Sequence, residues 1–395
     1  MSETGLEDHL IDTFYANAEI NIVAVVPRKM FDRLRREGRV PTSMLNVMLA
    51  DACRFSNHPS LEGTGTNKMG VRNRFIERAY KSLFECLEYD SVEHCVALLL
   101  FAMIISQAGL NRAWIMHSLS SQMAIRLRFH ALDSPMSTAM FRDDSPVDLE
   151  WKRRVFWQLY TYDVMTSTLS DLPQCLSIHD VQCNAPTPLD EKLLNNDKSG
   201  LAMLGPALVM SDDQDMITQQ IDILAIIYDI SIMQCRLNPE NEMFPAEFQV
   251  IYKRVEEWQD KLPWFKVLAH GTNEEIDSTF AQAPGRLFLG LMCEYAVLFM
   301  CMIKDTWLPS ARAMTAKEEE TLVWARSQAV VSARLVHRVV PLIRRTQLRV
   351  INPFVSCIVF QACIVSMYSC AWQSDPKHTM DAIDHVQNGL EYLEY

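Results

Sequence analysis

At 395 residues the chain can hold two average domains or one large one, and its 49% hydrophobic content is enough for a sizeable core. A formal net charge of −12 excludes a chain that grips nucleic acid through its overall charge, because phosphate neutralisation demands a strongly basic face. Eleven cysteines, an odd number without framework spacing and without any Cys-x-x-Cys pair, read as reduced thiols packed as small hydrophobes. The acidic, polar start from Met1 to Asp8 is unlike a signal peptide, so an intracellular chain is expected.

Leu6 to Ala18 reads as an amphipathic helix, and Ile22 to Val26 as a short extended run ending at Pro27. Lys29 to Glu37 is a helix stopped by Gly38; its arginines Arg33, Arg35 and Arg36, with Arg39 beyond, interleave with Asp32 and Glu37 and form a solvated face rather than a DNA arm. Pro41-Thr42-Ser43 opens a helix from Met44 to Phe55, Gly63 to Gly70 reads as a surface loop, and Phe75 to Leu87 as a helix. The apolar run Val92 to Gln107 and the helix Asn111 to His130 make an αα-hairpin. In its second helix Ala113, Ser120, Ser121 and Ala124 are small residues at helical spacing, so a neighbouring backbone is expected to come close.

Residues 131–145 read as a linker. After it, Ser145-Pro146 with Asp148 and Glu150 has the order of a helix start: an oxygen acceptor, a residue with no N–H to strand, then negative charge at the positive end of the dipole. The helix that follows is dense in aromatics, with Trp151, Val155, Leu159 and Tyr162 on one face and Phe156, Tyr160 and Asp163 beside it, so it is expected to be buried on most sides. It ends at Ser170-Asp171-Leu172-Pro173, and an extended arm runs from Ile178 to Pro188. Residues 189–216 read as a loop. Further helices are expected over 217–236, 248–261, 286–304, 316–345, 353–372 and 378–395, and no convincing strand alternation appears beyond Ile22. The expected fold is all-α, a large array of packed antiparallel helices. The apolar runs Cys95 to Ile105, Leu287 to Ile303 and Phe354 to Trp372 are short or carry polar residues such as Glu294 and Gln361, and read as core helices; no membrane contact is expected.

The basic pair Arg153-Arg154, the Trp157-x-x-Tyr160-x-x-Asp163 helix with Phe156, the turn closed by Pro173 and the Ile178-x-Asp180 arm reaching Pro186 and Pro188 resemble the regulatory domain of fungal zinc-cluster transcription factors, the middle homology region of xylanolytic-activator-like proteins. Ala50 to Ser56 with His58-Pro59, and the order Leu98 to His130, follow the same pattern. One departure is Asp171-Leu172, where that family has Gly-Arg before the Pro. The resemblance spans about residues 6–395 as one regulatory domain. It implies a non-enzymatic, nuclear regulator of target genes, such as a metabolic or secondary-metabolite gene cluster, acting through a small-molecule effector, the transcription machinery, co-regulators or a related factor. The zinc cluster of that family is missing from this sequence, so zinc and direct DNA binding are expected only from a module upstream, and no cofactor from this chain. The last helix stops abruptly at Tyr395, as if more could follow. Fragment, shortened reading of the gene and natural short form are alike consistent with this; a free-standing co-regulator of a full-length factor and an all-α enzyme are the alternatives.

Chemistry-bearing residues are sparse. Asp212-Asp213-Gln214-Asp215 lacks the Asp-Asp-x-x-Asp spacing of a diphosphate site and reads as a solvated loop. Cys175, His179 and Cys183 recur every four residues but lack a fourth ligand, and His378, Asp381 and His385 fit an exposed helix face. No nucleophile elbow, phosphate loop or His-Glu-x-x-His occurs, so no catalytic or metal residue is assigned. Asp163, in the most aromatic helix, is expected to be ion-paired with Arg126 or Arg154. The densest positive cluster is Arg334, Arg338, Arg344 and Arg345, with His337 and Arg349; it is a candidate contact for an anionic effector or partner.

Overall fold

The computed structural model describes residues 3–17, 25–61, 68–83, 89–106, 110–170, 172–186, 213–235, 244–281, 283–307, 316–346, 353–372 and 376–394. Among these residues there is no strand, and the chain divides into two compact units, Met1–Thr218 and Gln219–Tyr395.

The first unit contains α1 (Glu3–Asn17), α2 (Arg28–Arg36), α3 (Thr42–Ala52), α4 (Lys68–Ser82), α5 (Val92–Ile105), α6 (Leu110–Arg126), α7 (Pro135–Met140) and α8 (Pro146–Ser170). Local signals start and stop them. Gly38 takes φ +68 after α2, a left-handed turn that a Cβ disfavours. Ser91 caps α5 by accepting from His94 N–H. At α8 the Ser145 hydroxyl accepts from Asp148 N–H at 3.2 Å and donates to the Asp148 carboxylate at 2.6 Å. The α2 arginines form the expected solvated face, with Arg35, Arg36 and Arg39 exposed; on it Arg33 pairs with Asp148, Arg35 with Glu7 and Asp8, and Arg39, beyond the helix, with Glu37 and Glu93.

The core of this unit is the layer of α3, α5, α6 and α8. α5 is apolar all round and buried almost throughout, which suits a helix covered on several sides. Ala113, Ser120, Ser121 and Ala124 of α6 are fully buried, and the Ser120 hydroxyl donates to Cys95 O of α5 at 2.7 Å, a contact that larger side chains would hold apart. α8 buries nearly every residue from Glu150 to Thr168.

Three expectations change in this unit. The 131–145 stretch holds α7, started by Ser134 accepting from Ser137 N–H ahead of Pro135. Lys68 to Gly70 begin α4 rather than ending a loop, so that helix starts seven residues before Phe75. Ile178–Asp180 of the arm is a 3-10 turn capped by Ser177, not extended chain. Most of the short Ile22 run, and the end of the arm at Pro188, lie outside the described residues.

The second unit takes most of α9 (Asp213–Cys235), then α10 (Phe244–Asp260), α11 (Pro263–His270), α12 (Asn273–Phe280), α13 (Pro284–Trp307), α14 (Ala316–Arg345), α15 (Pro353–Trp372) and α16 (Pro376–Glu394). α13 is its central helix, in contact with α10, α12, α14 and α15, while α14, α15 and α16 pack on one another. Two apolar windows, Met216–Met233 and Pro284–Cys301, are long enough to cross a membrane; 61% of the first and 89% of the second is buried within the protein, the burial of core helices. Asp213, Gln214 and Asp215 belong to the first turn of α9 rather than a loop. Asp212 lies outside the described residues.

Candidate functional site

The residues carrying the sequence motif converge on one task, holding the arm 172–186 against α6 and α8. At the near end of the arm, Pro173 O accepts from the Trp114 indole N–H at 3.2 Å. The backbone N–H groups of Cys175 and Leu176 then both donate to Asp163 Oδ2, at 2.9 and 2.8 Å. At the far end, Gln182 N–H donates to His130 O, and Asp133 N–H donates back to Gln182 O. Asn184 donates its N–H to Asp133 and accepts the Trp157 indole N–H at 2.8 Å. Arg153 closes the clip by two bonds to Asp133, at 2.6 and 3.2 Å. Burial pulls Asp133 upward, but Arg153 and the Asn184 amide outweigh it and hold the carboxyl below its ordinary range.

The other motif residues support this clip from beneath. Phe156 and Tyr160 are fully buried and meet Trp157 edge-on at 5.4 and 5.7 Å. Arg154 is buried against Glu150, one turn earlier, at 2.9 Å. Asp180 is the exception, with an exposed side chain on the 3-10 turn whose charge acts on His130.

Asp163 is not ion-paired with either arginine expected for it. Arg126 is bound to Asp90 and Arg154 to Glu150. Arg154 lies nine residues before Asp163, and at about 100° per residue that separation puts the two on opposite sides of α8. What faces Asp163 is His117 of α6, fully buried, with Nδ1 3.7 Å from Asp163 Oδ1. Neither atom has another hydrogen-bond partner among the described residues. The tautomer follows from the other ring nitrogen: His117 Nε2 is 3.0 Å from Leu159 O, a carbonyl that can only accept, so Nε2 carries the hydrogen and Nδ1 is a lone pair. Two acceptors would then oppose each other unless one further proton belongs to the pair. Burial raises Asp163 to about 7, against the lowering pull of the two backbone N–H groups, and lowers His117 to about 4. The extra proton therefore belongs on Asp163.

The second unit contains a cleft of about 530 Å³ walled by α10, α11, α13 and α14. Glu294 and Ser332, each 4% exposed, line it, and burial raises Glu294 to about 7 against a hydrogen bond from Ser332. The Tyr252 hydroxyl donates to Gln328 at 3.1 Å and its ring packs edge-on against Trp324. Of the four candidate arginines, the structure brings Arg334 and Arg338 to this cleft. Arg338 donates to Leu268 O and Gly271 O, closing the carbonyl end of α11, while Arg334 is exposed. Arg345 pairs instead with Asp277 of α12, and Arg344 is exposed away from the cleft lining. His337, between them in sequence, is buried, bonded to Ser366 and stacked on His385.

Among the described residues no group of three His, Cys, Asp or Glu side chains is arranged to hold a metal ion. Cys175 donates to Ser118 and Cys183 to Asn184 O, and burial raises both thiols.

The family description "Fungal specific transcription factor domain" matches residues 11–268. The chain belongs to the fungal specific transcription factor domain family. Nitrogen assimilation transcription factor nirA of Emericella nidulans is 23% identical over 315 residues, covering 75% of this chain and 33% of that protein. Activator of stress genes 1 of Saccharomyces cerevisiae is 22% identical over 292 residues, covering 72% and 27%. The Zn(2)-C6 fungal-type transcription factor FTF1c of Fusarium oxysporum is 22% identical over 193 residues, covering 47% and 20%. The chain thus spans a third or less of the length of these curated relatives, and no solved structure matches it. Two of these relatives are named as transcription factors and the third as an activator of stress genes, and a role in transcription regulation is what membership of this family carries. Within the family match lie the whole arm clip and most of α11, while α13 and α14, with Glu294 and Arg334, lie beyond Leu268.

Sequence reasoning missed His117, Asp133 and Glu294 as partners. A lone carboxylate in the otherwise apolar run Leu287 to Ile303 was a signal for Glu294. For His117 and Asp133 no local signal existed, since their partners lie 46 and 20 residues away.

Proposed function

We propose that the chain is the regulatory domain of a nuclear transcription factor, and that it controls target genes by answering a small-molecule effector or a protein partner of the transcription machinery. The carrying observation is the arm clip: the residues that resemble the family motif, from Arg153 to Pro173, act together on one segment, which supports reading the motif as the framework of a regulatory body. Contact with DNA falls to a zinc-cluster segment of the kind named in FTF1c, and the net charge of −12 is in keeping with that division.

The regulatory domain extends over residues 6–395 in this reading. Its support is that the family match stops at Leu268 inside α11, while α10 packs on α13 and α11 on α12, so a boundary there would strip the cover from both faces. The cleft of the second unit is the effector site, with Arg334 as its anion or partner contact, Arg338 in its wall held by Leu268 O and Gly271 O, and Arg344 and Arg345 as a separate basic end of α14.

The test is fusion of the whole chain to a heterologous DNA-binding module with a reporter. A change in output in either direction, lost when Trp157 is replaced by Ala, is expected. A fusion that neither raises nor lowers output and recruits no co-regulator refutes the proposal.

A further inference from the structure

The cleft of the second unit has a chemical asymmetry from end to end. Its inner wall carries Glu294, a carboxyl 4% exposed whose hydrogen-bond partner is the Ser332 hydroxyl; among the described residues no cation reaches it within ion-pair distance. A buried carboxyl without a cation is expensive to ionise, and the protein's own cations at this cleft are committed elsewhere or held at the mouth. Arg338 is spent on the carbonyls of Leu268 and Gly271, and Lys266 sits 4.0 Å from Asp260 on the exposed side. Arg334 stands exposed at the same mouth. The same lining includes two aromatic rings, Tyr252 and Phe265.

We infer that this cleft binds a small organic ammonium that also carries an acid group, an amino-acid-like zwitterion whose ammonium pairs with Glu294 and Ser332 and whose carboxylate faces Arg334 and Lys266. The inference rests on the reading of the cleft as an effector site and names the ligand chemistry for it. An ammonium supplies the counter-charge that the inner wall lacks, and an aromatic lining favours a cation over a neutral group of the same size. A simple anion would meet the carboxylates Glu294 and Asp260 of the lining; a metal ion needs several donors together, and among the described residues no group of three His, Cys, Asp or Glu side chains is arranged to hold one. The volume, about 530 Å³, suits a molecule of this class.

Titration calorimetry and thermal shift on the full chain test this with the twenty α-amino acids and the ω-amino acids from β-alanine to 6-aminohexanoate, hexylamine and hexanoate serving as single-group controls. At least one zwitterion is expected to bind saturably and raise the melting temperature. Glu294→Gln preserves shape and, by removing a buried acid, keeps or raises the unliganded melting temperature while weakening that zwitterion at least tenfold. Arg334→Ala weakens the zwitterion but leaves any binding of the matching amine unchanged. Failure of every probe to bind overturns the inference, as does undiminished affinity in Glu294→Gln. If the probes fail while the reporter fusion still regulates, the ligand chemistry is wrong and the regulatory reading stands. A silent fusion with zwitterion binding intact removes the regulatory reading and leaves the site.

Discussion

Asp163→Asn gives the sharpest test of the proton assigned between α6 and α8. Asn keeps the shape of the side chain: its carbonyl can accept from Cys175 and Leu176 N–H, and its NH₂ can donate to His117 Nδ1, supplying permanently the hydrogen that the acid supplies only while protonated. The carboxyl is raised from its ordinary 3.8 to about 7 on folding, so the native state binds more protons than the unfolded chain across that window. The stabilising contribution of protonated Asp163 is therefore complete below pH 3.8 and is lost as pH rises through about 7. At about 1.4 kcal/mol per pH unit, the loss reaches up to about 4 kcal/mol.

His117 works in the opposite sense. Its folded value is lowered from 6.5 to about 4, so its contribution is present above 6.5 and is lost as pH falls toward 4. In the native sequence the two slopes oppose each other between about pH 4 and 6.5. In the Asn variant only the histidine slope remains. Denaturation of both proteins at pH 5, 6, 7 and 8 should show the variant gaining on the parent as pH rises, by roughly 2 to 3 kcal/mol between pH 5 and pH 8. A difference that stays constant with pH, or one that favours the parent increasingly at pH 8, refutes the assignment.

Trp157→Ala removes a large side chain 5% exposed together with its bond to Asn184 O, and should cost about 3 to 5 kcal/mol in urea unfolding; an unchanged midpoint would show that the indole is dispensable. Arg153→Ala breaks two charge-assisted bonds to Asp133 and should cost about 2 to 3 kcal/mol and speed protease cleavage within 172–186. The same substitution in an Asp133→Asn background should cost less, and full additivity of the two would show that they do not act through one clip. Gly389→Ala places a Cβ against Cys363 Sγ, with His337 Cε1 at 3.3 Å, where α16 crosses α15 and α14; a loss of about 1 to 3 kcal/mol is expected by calorimetry, and a neutral outcome would mean that the helices can separate there freely.

Long helices with local start signals were legible before any coordinates. α14 and α15 fall where the pattern places them, and α8 begins at the Ser145-Pro146 signal and ends at Ser170. The short helices α7, α11 and α12 were not, because six or eight residues give too few turns for a periodic stripe to stand out. α12 did carry a readable sign, the Thr272 to Glu275 capping box, in which each residue satisfies the other's backbone N–H. Grouping Arg334, Arg338, Arg344 and Arg345 as one positive cluster failed for a geometric reason: residues four apart share a face, so Arg334 and Arg338 reach one cleft, whereas Arg345 comes round toward α12.

By itself the amino-acid sequence determined the all-α class, the family and the burial of the aromatic helix, since apolar spacing, caps and motif order act over a few residues at a time. Tertiary packing alone decided that Asp163 meets His117 and two arm amides instead of an arginine, that Arg153 reaches back to Asp133, and that Glu294 lines a cleft with no ion-pair partner among the described residues. A buried polar group takes whichever partner the neighbouring helix brings within about 3 Å, and that depends on how separately formed helices cross and on where a distant loop comes to rest.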